Sequence, residues 1–247
     1  MLFFFKSKTV HLDCFTYRPE VYEYYPIDYS HKFYPDWWKK LPKNYTSEEF
    51  WGRNATMKTC LGFNLFYSNS ITIPLWTDMD IKLDKGNSIE LRFADQTTTG
   101  GTHSSLQSSG MLNENEYSHF KLQSPWRFTC KEEVRWTWTQ TLYNFYNVGD
   151  IIIPPGIVDY KYQHGTNINM FINLLNNKKL MSLDANQPLV NITPLSEKKV
   201  KLHTHLVDEK EFGKISLKGF SGKFINKYLN GKKINQEKEQ SKCPFHF

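Results

Sequence analysis

Apolar and polar residues alternate along much of this chain, mostly with a period of two. Val134, Trp136 and Trp138 alternate with Arg135, Thr137 and Thr139, which predicts a strand with one buried face. Val10, Leu12 and Cys14 share one parity and predict an early strand. Ile168, Met170, Ile172 and Leu174 alternate with Asn167, Asn169, Phe171 and Asn173, a strand with one apolar face and one amide-rich face. Further short strands are predicted over 71–76, 79–83, 88–93, 188–195 and 199–207, with Lys85-Gly86-Asn87 as a hairpin turn between the second and third.

The segment 149–160 organises these strands. Ile151, Ile152 and Ile153 are β-branched, stiff at χ1 and suited to a strand covered on both faces. Pro154 and Pro155 donate no hydrogen bond and fix φ, so a ladder must stop there. Gly156 is expected to supply a backbone angle closed to other residues. The chain then returns as the strand that starts near Asn167.

Helical spacing is rarer. Pro35-Asp36-Trp37-Trp38-Lys39-Lys40 predicts a turn or two of helix ended by Pro42. Met57, Cys60, Leu61 and Leu65 fall at i, i+3, i+4 and i+8, predicting a helix over 56–67 with Asn54 as cap. Its apolar face would point inward and make Cys60 a small core residue. Asp208-Glu209-Lys210-Glu211 starts a turn or short helix, and Phe220, Phe224 and Tyr228 predict a C-terminal helix ending near Asn230-Gly231. The tyrosine-rich run 17–34, broken by Pro19 and Pro26, reads as an extended arm over a core. Residues 94–126 are small and polar, carry His103 and His119, and read as a long loop, either a lid or a loose insert.

These elements predict one β-dominated domain over residues 1–231, a sandwich or jelly roll with a few peripheral helices. An aromatic N-terminal arm and a C-terminal helix belong to it, followed by a charged tail over 232–247.

Composition narrows the function classes. At 247 residues the chain can bury a core without staples. Aromatic residues make up 16%, which suits a β core or a binding face. The net charge of +6 is spread out, with no arginine-rich strip, so nucleic-acid binding is not expected. Cys14, Cys60, Cys130 and Cys243 lie far apart, unlike a zinc ribbon or a disulfide-dense module. The apolar start is too short for a signal peptide or a membrane span, so the sequons at Asn44, Asn54 and Asn191 are read as chance.

Candidate chemistry is sparse. No G-x-S-x-G, glycine-rich phosphate loop or His-paired cysteine is evident. His164, Asn167 and Asn169 offer an imidazole and amides, and Trp136 and Trp138 offer aromatic surface. That combination suits a protein or carbohydrate ligand, or self-association. The two indoles read either as core or as a sugar-stacking ledge.

Gly149 to Gly156 resembles the second conserved box of cupins, with Asp159 where that family places a metal-ligating histidine. His203-Thr204-His205 and Glu209 have the spacing of the first cupin box, although here it follows the other. The resemblance implies a metal-dependent oxygenase or isomerase, with His203, His205 and Asp159 holding iron or manganese.

Ile71-Thr72-Ile73-Pro74-Leu75-Trp76-Thr77-Asp78, the segment 155–160, and Gln187-Pro188-Leu189-Val190-Asn191-Ile192-Thr193-Pro194-Leu195 together resemble an uncharacterised family. That family is encoded by T4-like phages of marine cyanobacteria. The similarity runs through the aromatic arm to the Cys-Pro-Phe near the end, and the Asn and Lys content suits an AT-rich viral genome. It implies a phage or host-derived protein in the host cytoplasm or virion, and no catalytic residues. The expectation is a non-enzymatic binding or assembly protein, with the cupin-like enzyme as the alternative.

Overall fold

The computed structural model describes residues 9–46, 52–83, 89–107, 110–113, 116–144, 149–175 and 180–217. The C-terminal helix expected around Phe220, the charged tail and the Lys85-Gly86-Asn87 turn lie outside them. In chain order the elements are β1 (Thr9–Thr16), α1 (Pro19–Tyr24), β2 (Asp28–Tyr29), α2 (Asp36–Lys40), β3 (Asn44–Thr46) and β4 (Arg53–Ala55). Next come α3 (Leu61–Ser68), β5 (Ile71–Pro74), β6 (Met79–Leu83), β7 (Ile89–Phe93), β8 (Gly100–Thr102), β9 (Tyr117–Thr129) and β10 (Trp136–Gln140). The last are β11 (Ile151–Ile152), β12 (Gly156–Val158), β13 (Gly165–Asn173), β14 (Leu180–Leu183), β15 (Pro188–Pro194), β16 (Lys199–Leu206) and α4 (Glu209–Leu217).

The fold is mainly β. One sheet has the order β11-β13-β9-β1-β16, with β8 also on β9, and the other has β12-β10-β15-β5-β2. One apolar cluster joins them. Val10, Leu12, Phe120, Leu122, Ile168 and Met170 come from the first sheet, and Trp136, Trp138, Ile71, Ile73, Val190 and Ile192 from the second. Tyr160 bridges the layers, its ring 4.8 Å from Phe128 and 5.9 Å from Trp136. A hairpin of β6 and β7, extended by β14, forms a smaller sheet, and β3 pairs β4. Among the described residues no helix is long and apolar enough to cross a membrane.

The isoleucine run and its prolines do more than end a strand. Ile151 and Ile152 pair with Ile172 and Phe171 in the first sheet. Four residues after Ile152, Gly156 is already opposite Trp138 in the second. Pro154 and Pro155, unable to extend the ladder, carry the chain from one layer to the other. Gly156 itself departs from expectation. It has ordinary extended backbone, and a Cβ there would meet nothing.

Each side of the sandwich is pinned by a side chain from the second sheet reaching backbone of the first. On one side the carboxamide of Gln140 donates to the Ile151 carbonyl at 3.0 Å and accepts the Ile153 N–H at 2.9 Å. On the other, the Tyr29 hydroxyl accepts the Leu202 N–H at 3.1 Å and donates to the Val200 carbonyl at 3.4 Å.

Three expectations are corrected. The supposed arm contains α1, opened by Pro19 in its first turn, and the short strand β2. The supposed loop 94–126 holds β8 and most of β9, the 13-residue strand shared by β13, β8 and β1. Pro125 hides this strand in the sequence. It sits where the ladder to β13 shifts register between Gly165 and Asn167, a bulge that tolerates a missing N–H. Gly100 lets β8 lie flat on β9, because a Cβ there would run into the Phe120 ring and the Lys121 carbonyl.

The third concerns α3. Met57, Leu61 and Leu65 are exposed, as is Cys60, while Phe63 and Tyr67 are buried. Helix begins only at Leu61, after a 3-10 turn capped by Thr56, and Asn54 lies in β4. Two rings on the opposite face outcompete the aliphatic stripe, because Tyr34, Trp38 and Tyr143 arrive from elsewhere to stack on them.

Candidate functional site

The amide-rich side of β13 borders an open groove of about 330 Å³. Lys121, Gln163, Gly165, Asn167 and Asn169 form one wall, Pro154 to Val158 form the other, and Trp138 completes the lining. The groove exists because β11 is short. Its pairing covers β13 only at Phe171 and Ile172, and the prolines then lead the chain away.

The backbone of β13 has a definite polarity here. Leu174 donates its N–H to Glu116 on the β9 side at 2.7 Å, and Asn173 donates to Asp150 on the β11 side at 2.9 Å. Backbone polar groups alternate sides along a strand. Residues of Asn173 parity therefore turn N–H and C=O toward the β11 edge: Phe171, Asn169 and Asn167. Beyond the end of β11, the groups of Asn169 and Asn167 face the groove with no strand beside them among the described residues. Such a row is a template for pairing with another strand.

Side chains add selectivity. Lys121 lies opposite Asn169, and its ammonium makes no ion pair among the described residues. His119 donates from Nε2 to the Asn169 carboxamide oxygen at 3.2 Å and stacks on Phe171 at 4.7 Å, which orients Asn169. Ile157, on the facing edge, is 61% exposed.

Asn167, Asn169 and Trp138 line the same groove. His164 is not part of this lining. Its Nδ1 donates to the Phe128 carbonyl at 2.9 Å, and its own carbonyl accepts the Phe128 N–H at 2.8 Å, so it fastens β13 to β9. Trp136 is fully buried and Trp138 only 5% exposed, so the pair is core and offers no ledge for a sugar. The sequence does not single out Lys121, because Pro125 and the polar run before it mark its strand as a loop. The alternation Phe120, Lys121, Leu122, Gln123 was the available signal.

The cupin-like set is not assembled. His203 and His205 project together from β16, the last strand of its sheet, and meet β1. His203 Nε2 lies 3.0 Å from His11 Nδ1, and His205 Nε2 lies 2.8 Å from Asp13 Oδ1. Asp159 belongs to the turn after β12, on the other sheet, and accepts the Lys161 N–H at 3.2 Å. Among the described residues no three His, Cys, Asp or Glu side chains gather as a metal-holding group. His203, His205 and Asp159 therefore do not form the ligand set that iron or manganese would need.

A second concavity, of about 400 Å³, lies across the second sheet, between α2, the turn Leu142–Asn144 and Asn186. It rests on a cluster of rings. Tyr34 stacks on Trp38 at 4.0 Å, and Phe63 touches Trp37, Tyr67 and Tyr143. Burial, with Tyr143 and Tyr34 nearby, raises the Tyr67 phenol above its ordinary value, so it stays protonated and donates to Asn144 Oδ1 at 2.9 Å. Compared with known proteins, the chain matches no protein-family model and no curated protein.

Proposed function

We propose that this protein is a non-enzymatic binding protein that takes an extended segment of a partner polypeptide as an added strand beside β13. The observation that carries this is the direction of the Asn167 and Asn169 backbone groups, which face the groove where β11 stops. Main-chain hydrogen bonds would supply affinity and the pocket walls specificity, as in other strand-addition modes. The unpaired Lys121 favours an acidic side chain or a C-terminal carboxylate in the segment. The prolines and the bulge confine pairing to a short stretch, which limits open-ended self-pairing. A carbohydrate is less well suited to this groove, because Trp138 presents almost no ring surface. The resemblance to the cyanobacterial phage family supports an assembly setting, in the host cytoplasm or the virion.

The test is selection of nine-residue peptides from a random displayed library on the folded protein, followed by calorimetry and amide hydrogen exchange. Bound peptide should slow exchange at Asn167 and Asn169. Asn169→Pro removes the edge-facing N–H along with the carboxamide and should abolish binding, while Asn169→Ala, which loses the carboxamide alone, should retain most of it. Failure to select any peptide, or protection confined to other strands, overturns the reading. A concentration-dependent dimer lost in Asn169→Pro would instead make the occupant a second copy of this chain.

A further inference from the structure

We infer a second, separate binding site for a neutral saccharide in the cleft between α2 and the Leu142–Asn144 turn. Trp37 and Tyr143 are each 38% exposed and both line this cleft. The Trp37 indole N–H donates to the Tyr143 backbone carbonyl at 2.9 Å, which fixes Trp37 beside the turn that carries Tyr143. Phe63 supports both from beneath, at 5.8 Å and 4.7 Å. Exposed rings held by buried rings form a rigid platform, and a ligand that stacks there has little ordering cost to overcome.

The polar groups select for neutrality. Lys32 pairs with Asp28 at 2.6 Å and Lys39 with Asp36 at 3.0 Å, so the charges at the mouth cancel. An anionic ligand would have to break these pairs, and a nucleic acid would lack free cations for its phosphates. Paired carboxylate and ammonium groups beside a ring offer donors and acceptors together, which suits adjacent hydroxyls on a sugar face.

Asn186 supplies the remaining group. Its backbone is left-handed, with φ of 68°, an angle that asparagine tolerates better than most residues. The turn is held by the Asn186 N–H on the Leu75 carbonyl at 2.7 Å and by Gln187 N–H on Asp184. Among the described residues the Asn186 carboxamide makes no hydrogen bond, and it lines the cleft. Glycine would keep this backbone, so Asn186→Gly removes the carboxamide without disturbing the turn.

The experiment is calorimetry and affinity electrophoresis of the full chain. The probes are homo-oligosaccharides of glucose, galactose, mannose, xylose and N-acetylglucosamine, two to six units long. At least one should bind. Trp37→Ala should weaken it about tenfold, the loss expected for one stacking ring. Asn186→Gly, which preserves the turn, should weaken it about fivefold. Asn169→Pro should leave it unchanged, since the β13 groove is a different site. No binding by any of these sugars overturns the inference. So does binding that survives Asn186→Gly and a folded Trp37→Ala, or Trp37-dependent binding of a single-stranded oligonucleotide in place of the sugars.

Discussion

Gln140 accepts the N–H of Ile153 at 2.9 Å at the point where the isoleucine strand ends, and the same carboxamide donates to Ile151. Gln140 is 6% exposed, so these groups have no water to turn to. Gln140→Met keeps the length of the side chain and removes both bonds. It should cost about 2–4 kcal/mol by urea unfolding, the penalty for two buried backbone groups left without partners. Exchange of the Ile153 amide should accelerate at the same time. An unchanged unfolding midpoint would show that the corner holds without its clamp.

A second clamp ties the segment after β7 to the start of α1. The buried Arg18 guanidinium lies 3.3 Å from Asp95 and 2.6 Å from Glu20. Burial alone would raise the Asp95 carboxyl. Hydrogen bonds from the Thr98 and Thr97 hydroxyls and the Thr98 N–H, together with Arg18, override it and hold the group well below the usual carboxylate range. A depressed folded-state value adds stability that is full above the unfolded-state value of about 3.9 and is lost as pH falls further. Asp95→Asn should therefore cost about 2 kcal/mol at pH 7 and flatten the acid limb of the stability curve. The cost falls below the ~3–5 kcal/mol of a fully buried pair because Glu20 remains to Arg18. Thermal melts from pH 7 to pH 2 would measure both.

The two faces of α3 should respond oppositely to substitution. Leu61→Lys and Leu65→Lys alter exposed positions and should shift stability by no more than about 0.5 kcal/mol. Phe63→Ala removes the ring at the centre of the aromatic cluster and should cost about 3–5 kcal/mol. Equal effects on both faces would mean that the helix is rotated from the orientation described.

The cysteines should separate cleanly in a labelling experiment. Burial, followed by the nearby Glu132 carboxylate, pushes the Cys130 thiol up to about 12, and burial raises Cys14 well above its ordinary value. Cys60 is exposed. Iodoacetamide at pH 8 on the native protein should modify Cys60 within minutes and leave Cys14 and Cys130 intact until denaturant is added, as read by peptide mass spectrometry. Modification of Cys130 at the rate of Cys60 would contradict the packing around it.

Period-two alternation carried through to structure wherever both faces of a strand had clear chemistry. The strands around Val10, Trp136 and Ile168 pair as strands with the expected side inward, whereas β16 pairs as a strand but buries only Val200 and leaves Leu206 exposed. It failed at β9, where Pro125 and a run of polar residues masked the alternation of Phe120 and Leu122. A bulge set by β13, far along the chain, is what makes a proline acceptable there. The groove was legible in part. Asn167 and Asn169 were recognisable as a polar strand face, while Lys121 and the free edge depend on which strand lies beside which.

Local order thus determined that the chain is mainly β, that Ile151 to Gly156 turns a corner, and that the indoles of Trp136 and Trp138 share a strand face. Those properties follow from χ1 stiffness, fixed proline φ and the two-residue repeat, all of which act between neighbours. Only tertiary structure decided that the corner changes sheets, that α3 buries its rings and exposes its leucines, and that His203 and His205 meet His11 and Asp13 instead of Asp159. Each of those outcomes turns on partners outside the local repeat, from Trp138 opposite Gly156 to His11 beside His203, and no local period records where such partners will stand.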